Sequence, residues 1–254
     1  MILRKIKKFS HLIFLLSLLL LLLQCGLNDY PYLYPPDLRQ TIFGHGGAGT
    51  IIIRNDPDND IDEFLGYELY YKFYNSGTQE PDRANDSRVI FSVNNPEPRN
   101  LISLGFRRVN TNQSYDITTR SPMIRITNKN TNYDIIFDFS GILGFGIIDK
   151  TFIPKVYGTT TTEIPLYRGR NNVTGLNDVI EYDFYDVPPT NNYKSFGNLL
   201  NTEKNTNIIP GDLQGLADAA YNSEITLSLY IFAFGRYENQ PIYSKPLEIG
   251  FIYY

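Results

Sequence analysis

Cys25 is the only cysteine of the chain, and it stands where an apolar run stops. Arg4, Lys5, Lys7 and Lys8 precede the run Leu12–Leu23, which is followed by Gln24, Cys25 and Gly26. A basic segment followed by about 7–15 apolar residues has the form of a secretory signal, and twelve residues are too few for a membrane-crossing helix, which needs roughly 17–25. The remaining candidates for chemistry are carboxylates and one glycine-rich loop. Asp56, Asp58, Asp60, Asp62 and Glu63 form the densest acidic run. Alternate aspartates open a calcium loop, but such a loop needs glycine at its sixth position and glutamate at its twelfth. Ile61 and Tyr67 stand there, which excludes an EF-hand and leaves Asp56, Asp58, Asp60 and Asp62 as a candidate calcium site of looser form beside a solvated-loop reading.

Gly44-His45-Gly46-Gly47-Ala48-Gly49 matches a dinucleotide-binding loop by letter, yet the β-branched Thr50-Ile51-Ile52-Ile53 follows where a helix should open. Read as the oxyanion loop of a lipase, it requires a Gly-x-Ser-x-Gly elbow and a second histidine. His11 and His45 are the only histidines and His11 belongs to the leader, so a flexible turn is the expectation. Glu181 with Asp183, and Asp134 with Asp138, share strand faces by parity and could serve glycoside cleavage if brought close. Alternating acids more often mark the wet face of a strand. No constellation identifies a catalytic residue, a metal site or a cofactor, and a non-enzymatic protein is expected.

These groups must be positioned by strands. The exported part, without residues 1–24, has 19 Lys and Arg against 27 Asp and Glu, because the four basic residues of the leader are gone; the net charge is near −8. An acidic surface without a basic cluster argues against nucleic acid and against electrostatic binding to anionic lipid. Tyr and Phe number 20 and 16 and Trp is absent, which favours aromatic packing on sheets. Asn28–Pro36 reads as a stiff tether or a first edge strand, and residues 25–40 form that segment ahead of a domain over 41–254. Strands are expected at Thr50–Arg54, Gly66–Tyr74, Val89–Val93, Leu101–Val109, Met123–Thr127, Tyr133–Phe139, Phe152–Tyr157, Val179–Tyr185, Ile225–Phe234 and Pro241–Tyr254. Along Gly66–Tyr74, Tyr67, Leu69, Tyr71 and Phe73 share one face, and Glu68, Tyr70, Lys72 and Tyr74 the other. Leu247, Ile249, Phe251 and Tyr253 likewise predict one apolar face, paired antiparallel with Ile225–Phe234 through a turn at Gly235–Gln240. Asp212–Tyr221 is the one helical candidate, so the expected fold is an all-β antiparallel sandwich with at most one short helix.

The leader and Cys25 resemble the lipobox of bacterial lipoproteins, with Leu22 in the apolar position three before the cysteine, although Leu23 and Gln24 stand where small residues are usual. The resemblance implies a diacylglyceryl group on Cys25, cleavage before it and acylation of the new amino group. Thr50–Tyr74 is similar to strands B and C of fibronectin type III domains, and Tyr230–Leu247 to strands F and G, with Ala233, Gly235, Ser244 and Pro246 at the matching positions. These pieces cover under a fifth of the chain. No tryptophan fills the family's strand B position, and the expected strand F tyrosine falls near Leu227. Strands C and F lie about 150 residues apart, so either a large β insertion separates them or a larger sandwich is only locally similar. Together these features resemble a spirochaete (Leptospira-type) lipoprotein with a fibronectin-like domain. That implies an envelope protein, in the outer membrane, held by lipid and binding a protein or carbohydrate. The alternative is an envelope hydrolase or carbohydrate-binding protein using carboxylates and tyrosines.

Overall fold

Two β-branched and aromatic segments close in sequence, Thr50–Arg54 and Phe64–Asn75, become strands of two different sheets. The computed structural model describes residues 30–44, 49–75, 79–94, 96–109, 122–140, 155–158, 164–170, 193–195 and 225–253. In chain order the strands are β1 (Asp37–Gln40), β2 (Ile42–Gly44), β3 (Thr50–Arg54), β4 (Phe64–Asn75), β5 (Arg107–Arg108), β6 (Ile124–Arg125), β7 (Asp134–Asp138), β8 (Lys155–Tyr157), β9 (Ile164–Pro165), β10 (Tyr167–Arg170), β11 (Tyr193–Ser195), β12 (Ile225–Tyr237), β13 (Gln240–Tyr243) and β14 (Leu247–Tyr253). Helix α1 (Gln79–Ser92) and helix α2 (Pro98–Ser103) lie between β4 and β5.

One sheet has the order β1-β3-β7-β8-β9, the other β2-β14-β12-β4-β5, with β13 extending along β12 and β6 along β4. All pairings are antiparallel except β14 with β2. The two sheets are the layers of an antiparallel β-sandwich. Strands β10 and β11 form a separate two-stranded ribbon.

Between the sheets lies an apolar core. Ile51 and Ile53 of β3, Ile135 and Phe137 of β7 and Val156 of β8 pack in one cluster with Tyr67, Leu69, Tyr71 and Phe73 of β4. Leu227, Leu229, Ile231, Ile249 and Ile252 complete it. Burying each such side chain stabilises by about 1.5–3 kcal/mol. The predicted inner face of β4 is correct.

Other expectations change. Val89–Val93 is not a strand, because Val89 to Ser92 is the last turn of α1; the segment Leu101–Val109 begins as helix α2 and holds only β5 as strand. Two helices are thus present among the described residues, more than the single short one expected, while Val179–Tyr185 and Asp212–Tyr221 lie outside them. The sheet includes β1, so the sandwich begins before residue 41 and the edge-strand reading of the segment applies from Asp37. The turn between β12 and β13 shrinks to Glu238 and Asn239, with φ of 48° and 64°, the left-handed pair a two-residue hairpin needs. Pro246 sits in the break between β13 and β14, where Ser244 bridges by accepting from the Ala233 amide at 2.8 Å. A bulge at Ile249 reverses parity in β14: Ile249 and Ile252 face the core, while Phe251 lies under the ring-stacking guanidinium of Arg83 on α1. The single apolar face expected for this strand is therefore split over two.

Gly66 marks the closest backbone approach. Its φ is 153°, and a Cβ there would lie 1.9 Å from the Ile124 carbonyl oxygen where β6 joins β4.

Candidate functional site

The second face of β4 alternates to Glu68, Tyr70, Lys72 and Tyr74, which by composition belongs in water. It is buried under α1, α2 and β5. Glu68 is fully buried and pairs at 3.0 Å with Arg108 of β5; it also accepts from the Tyr70 hydroxyl at 2.8 Å. Lys72 donates to Asp86 of α1 at 2.5 Å and to the Leu104 carbonyl at the end of α2 at 2.6 Å, with its charge over the rings of Tyr74 and Phe106. The Tyr74 hydroxyl donates to Asp86 at 2.8 Å. On the next strand pair, Arg83 of α1 reaches Glu248 of β14 at 2.8 Å. An aromatic cluster fills the space between these pairs: Tyr70 edge-on to Phe232 at 5.5 Å, and Phe106 edge-on to Tyr230 at 5.3 Å.

Burial, followed by the nearby Asp86 charge, pushes the Tyr74 phenol far above its ordinary range. Burial, then Glu248, does the same to Tyr230. Three carboxylates here each hold a cation: Asp86 and Glu248 fasten helix α1 to the sheet, and Glu68 ties β4 to its neighbour β5.

A second locus is where the chain enters the sandwich. Leu33 is buried in the core beside Gly235, at which a Cβ would sit 3.1 Å from its Cδ1 and 2.5 Å from the Glu63 carbonyl oxygen. Tyr32 and Tyr34 flank it and point outward, 50% and 41% exposed, their rings edge-to-face at 4.9 Å. The buried Asn59 side chain grips this strap from the loop between β3 and β4: its Oδ1 accepts from the Tyr34 amide and its Nδ2 donates to the Tyr34 carbonyl, both at 2.8 Å. The acidic run builds that clamp. Asp56 caps the 3₁₀ turn Pro57–Asn59 by accepting from the Asp58 amide at 2.9 Å, and Lys129 braces the loop through the Ile61 carbonyl at 2.7 Å. The Tyr67 hydroxyl donates to Asn55, and burial raises its phenol well above the ordinary range.

Of the residues singled out in sequence, Cys25, His45, Glu181 and Asp183 lie outside the described residues. Asp58, Asp60 and Asp62 are exposed, and among the described residues no group of three acidic, His or Cys side chains is arranged to hold a metal ion. Asp134 and Asp138 do share the outer face of β7, each already engaged. Asp134 holds Arg54 at 2.8 Å, which keeps its carboxyl below the usual range, and Asp138 accepts from the Ser140 amide at 2.9 Å. Sequence reasoning missed the charged layer and Asn59. The signal was present: Arg83, Asp86 and Ile90 recur at helical spacing, a buried stripe written mainly in charges.

No protein-family model, no curated protein and no solved structure matches the chain. Among the described residues no helix is long and apolar enough to cross a membrane. The class defined by fold alone is an all-β sandwich with an inserted helical layer.

Proposed function

We propose that this chain is a lipid-anchored protein of the bacterial cell envelope, placed in the outer membrane, and that it works as a non-enzymatic binding or structural module. One observation carries the reading: a basic segment and a twelve-residue apolar run end at the sole thiol, Cys25, eight positions before Leu33, the residue with which the sandwich takes hold of the chain. Two or three acyl chains on Cys25 hold such a domain firmly, since each buried methylene contributes about 0.8 kcal/mol and one chain alone binds marginally. The engaged state of Asp134 and Asp138 favours a role in binding a protein or carbohydrate over hydrolysis. Metabolic labelling with a fatty acid tests the anchor. The wild-type chain takes up label and fractionates with membranes, whereas Cys25→Ser takes up none. Equal labelling of the two chains refutes the assignment.

A further inference from the structure

The strap presents an asymmetry that its own packing does not use. Leu33 points into the core while Tyr32 and Tyr34 point out, half-exposed and in mutual contact. About half of each ring surface is left in water, apolar area that a covering layer would bury. The backbone of Tyr34 is held by the buried Asn59 through two hydrogen bonds of 2.8 Å, and the Tyr32 ring packs edge-to-face on the Tyr34 ring, so the pair has a fixed seat on the domain. They are also the first exposed aromatic side chains at which the compact unit Tyr32–Tyr254 begins. Seven peptide steps separate Tyr32 from Cys25, at most about 25 Å of chain at full extension. If Cys25 carries acyl chains, its backbone is fixed at the edge of the hydrocarbon layer, and the headgroup layer beyond it is roughly 5–8 Å deep. That reach is several times the depth of the layer, so the tether lets the strap enter it, and amphipathic tyrosine rings prefer that layer to the water beyond.

We infer that Tyr32 and Tyr34 are a membrane-contact surface: they seat in the phospholipid headgroup layer and hold the sandwich with its β3–β4 loop end toward the bilayer. The inference rests on the lipid-anchor reading of Cys25. The Asn59 clamp supplies what the anchor lacks, because an acyl chain fixes distance and a clamped aromatic pair fixes orientation. The same loop carries the exposed Asp58, Asp60 and Asp62, which anionic headgroups repel, so zwitterionic lipid is the matching surface. The helical layer, with the exposed Val89, Phe91 and Ile102, is then left free for a partner in the aqueous space.

The absence of tryptophan makes the test direct. Full-length chains carrying Tyr32→Trp, Tyr34→Trp or Phe91→Trp are produced with their leader, extracted in detergent and reconstituted into phosphatidylcholine vesicles with bromine near the headgroup end of the acyl chains. The mass of the N-terminal peptide is read on the same preparations. Acylated Tyr32→Trp and Tyr34→Trp chains should lose about half of their emission in brominated vesicles relative to unbrominated phosphatidylcholine, as interfacial rings do, with Phe91→Trp unaffected. Acylated chains in which the strap variants are quenched no more than Phe91→Trp overturn the contact surface and leave the anchor standing. A peptide of unmodified mass overturns the anchor and the contact surface together.

Discussion

The two faces of β4 solve the same burial problem with opposite chemistry. Tyr67, Leu69, Tyr71 and Phe73 meet the β3–β7 sheet in an apolar core. Glu68, Tyr70, Lys72 and Tyr74, one residue out of phase, are held by ion pairs and hydroxyl hydrogen bonds, Lys72 and Tyr74 to α1 and Glu68 to Arg108 of β5, with only a small aromatic cluster between. The first face gains free energy from each side chain independently. The second gains little from any pair as a whole, because desolvating two charges offsets much of their attraction, yet loses heavily when one partner is removed. An apolar face therefore sets stability, while a paired ionic face sets where the helical layer can sit.

The largest expected effect comes from removing what serves both faces. Strand β14 sends Ile249 and Ile252 inward and Glu248 and Phe251 outward. Deleting Leu247–Tyr254 strips both layers and unpairs one side of β12, so circular dichroism should show no cooperative melt. A soluble truncation with a sharp transition contradicts the shared role of this strand.

Single substitutions separate the faces. Tyr71→Ala, on the apolar side, should cost about 3–5 kcal/mol in urea unfolding, with no second change that restores it. Arg108→Met, on the ionic side, should cost about the same, roughly 3–5 kcal/mol, because it leaves Glu68 charged and buried. Here much of the loss is reversible: Glu68→Met, Tyr70→Phe and Arg108→Met together should recover most of the Arg108→Met deficit, since both charges of the pair and the hydroxyl that donates to it are removed together. A triple variant no better than Arg108→Met would falsify the contrast.

Alkaline pH tests whether both faces are equally dry. Tyr67 on the inner face and Tyr74 and Tyr230 on the outer have phenols raised by burial. Below about pH 10 these phenols are neutral in folded and unfolded chains alike, and the contribution is flat. Above it the unfolded chain loses protons that the folded chain keeps, so stability falls by about 1.4 kcal/mol per pH unit for each phenol. Tyr67→Phe and Tyr74→Phe should each remove one such increment from the slope. An unchanged slope for Tyr74→Phe alone would mean that the helical layer admits water.

The same contrast explains what was legible in the sequence. The sandwich was readable because β3, β4 and β12 carry period-two apolar and aromatic residues. Helix α1 was not, because its buried stripe is Arg83, Asp86 and Ile90, and only the apolar Val89, Ile90 and Phe91 near its end register as a pattern. Those three adjacent residues mimic a strand. The bulge at Ile249 was also hidden, since parity along β14 is broken by backbone geometry and not by residue type. Asn59 was read as part of a solvated loop; its burial depends on Tyr34, which is 25 positions away in sequence.

The smallest effect belongs to a third face, the outer side of the β3–β7 sheet, where none of the helices among the described residues packs. Asp37, Arg54 and Asp134 are cross-strand neighbours there, and Arg54 holds Asp134 at 2.8 Å with both side chains more than a third exposed. The hydrogen bond to Arg54, followed by its charge, lowers the Asp134 pKa. A depressed carboxylate contributes stability above its unfolded value, about 3.9, and that contribution disappears as pH falls through the folded value. Asp134→Asn should therefore lower the melting temperature slightly at pH 7, and the gap should close as both chains are taken below pH 3. Solvent screens this pair, so added salt should also narrow the gap at pH 7. The Arg108→Met deficit on the helix-covered face should hold under the same salt, because no mobile ions reach a fully buried carboxylate. Equal salt sensitivity at the two positions would erase the distinction between a charged face that is merely paired and one that is paired and sealed.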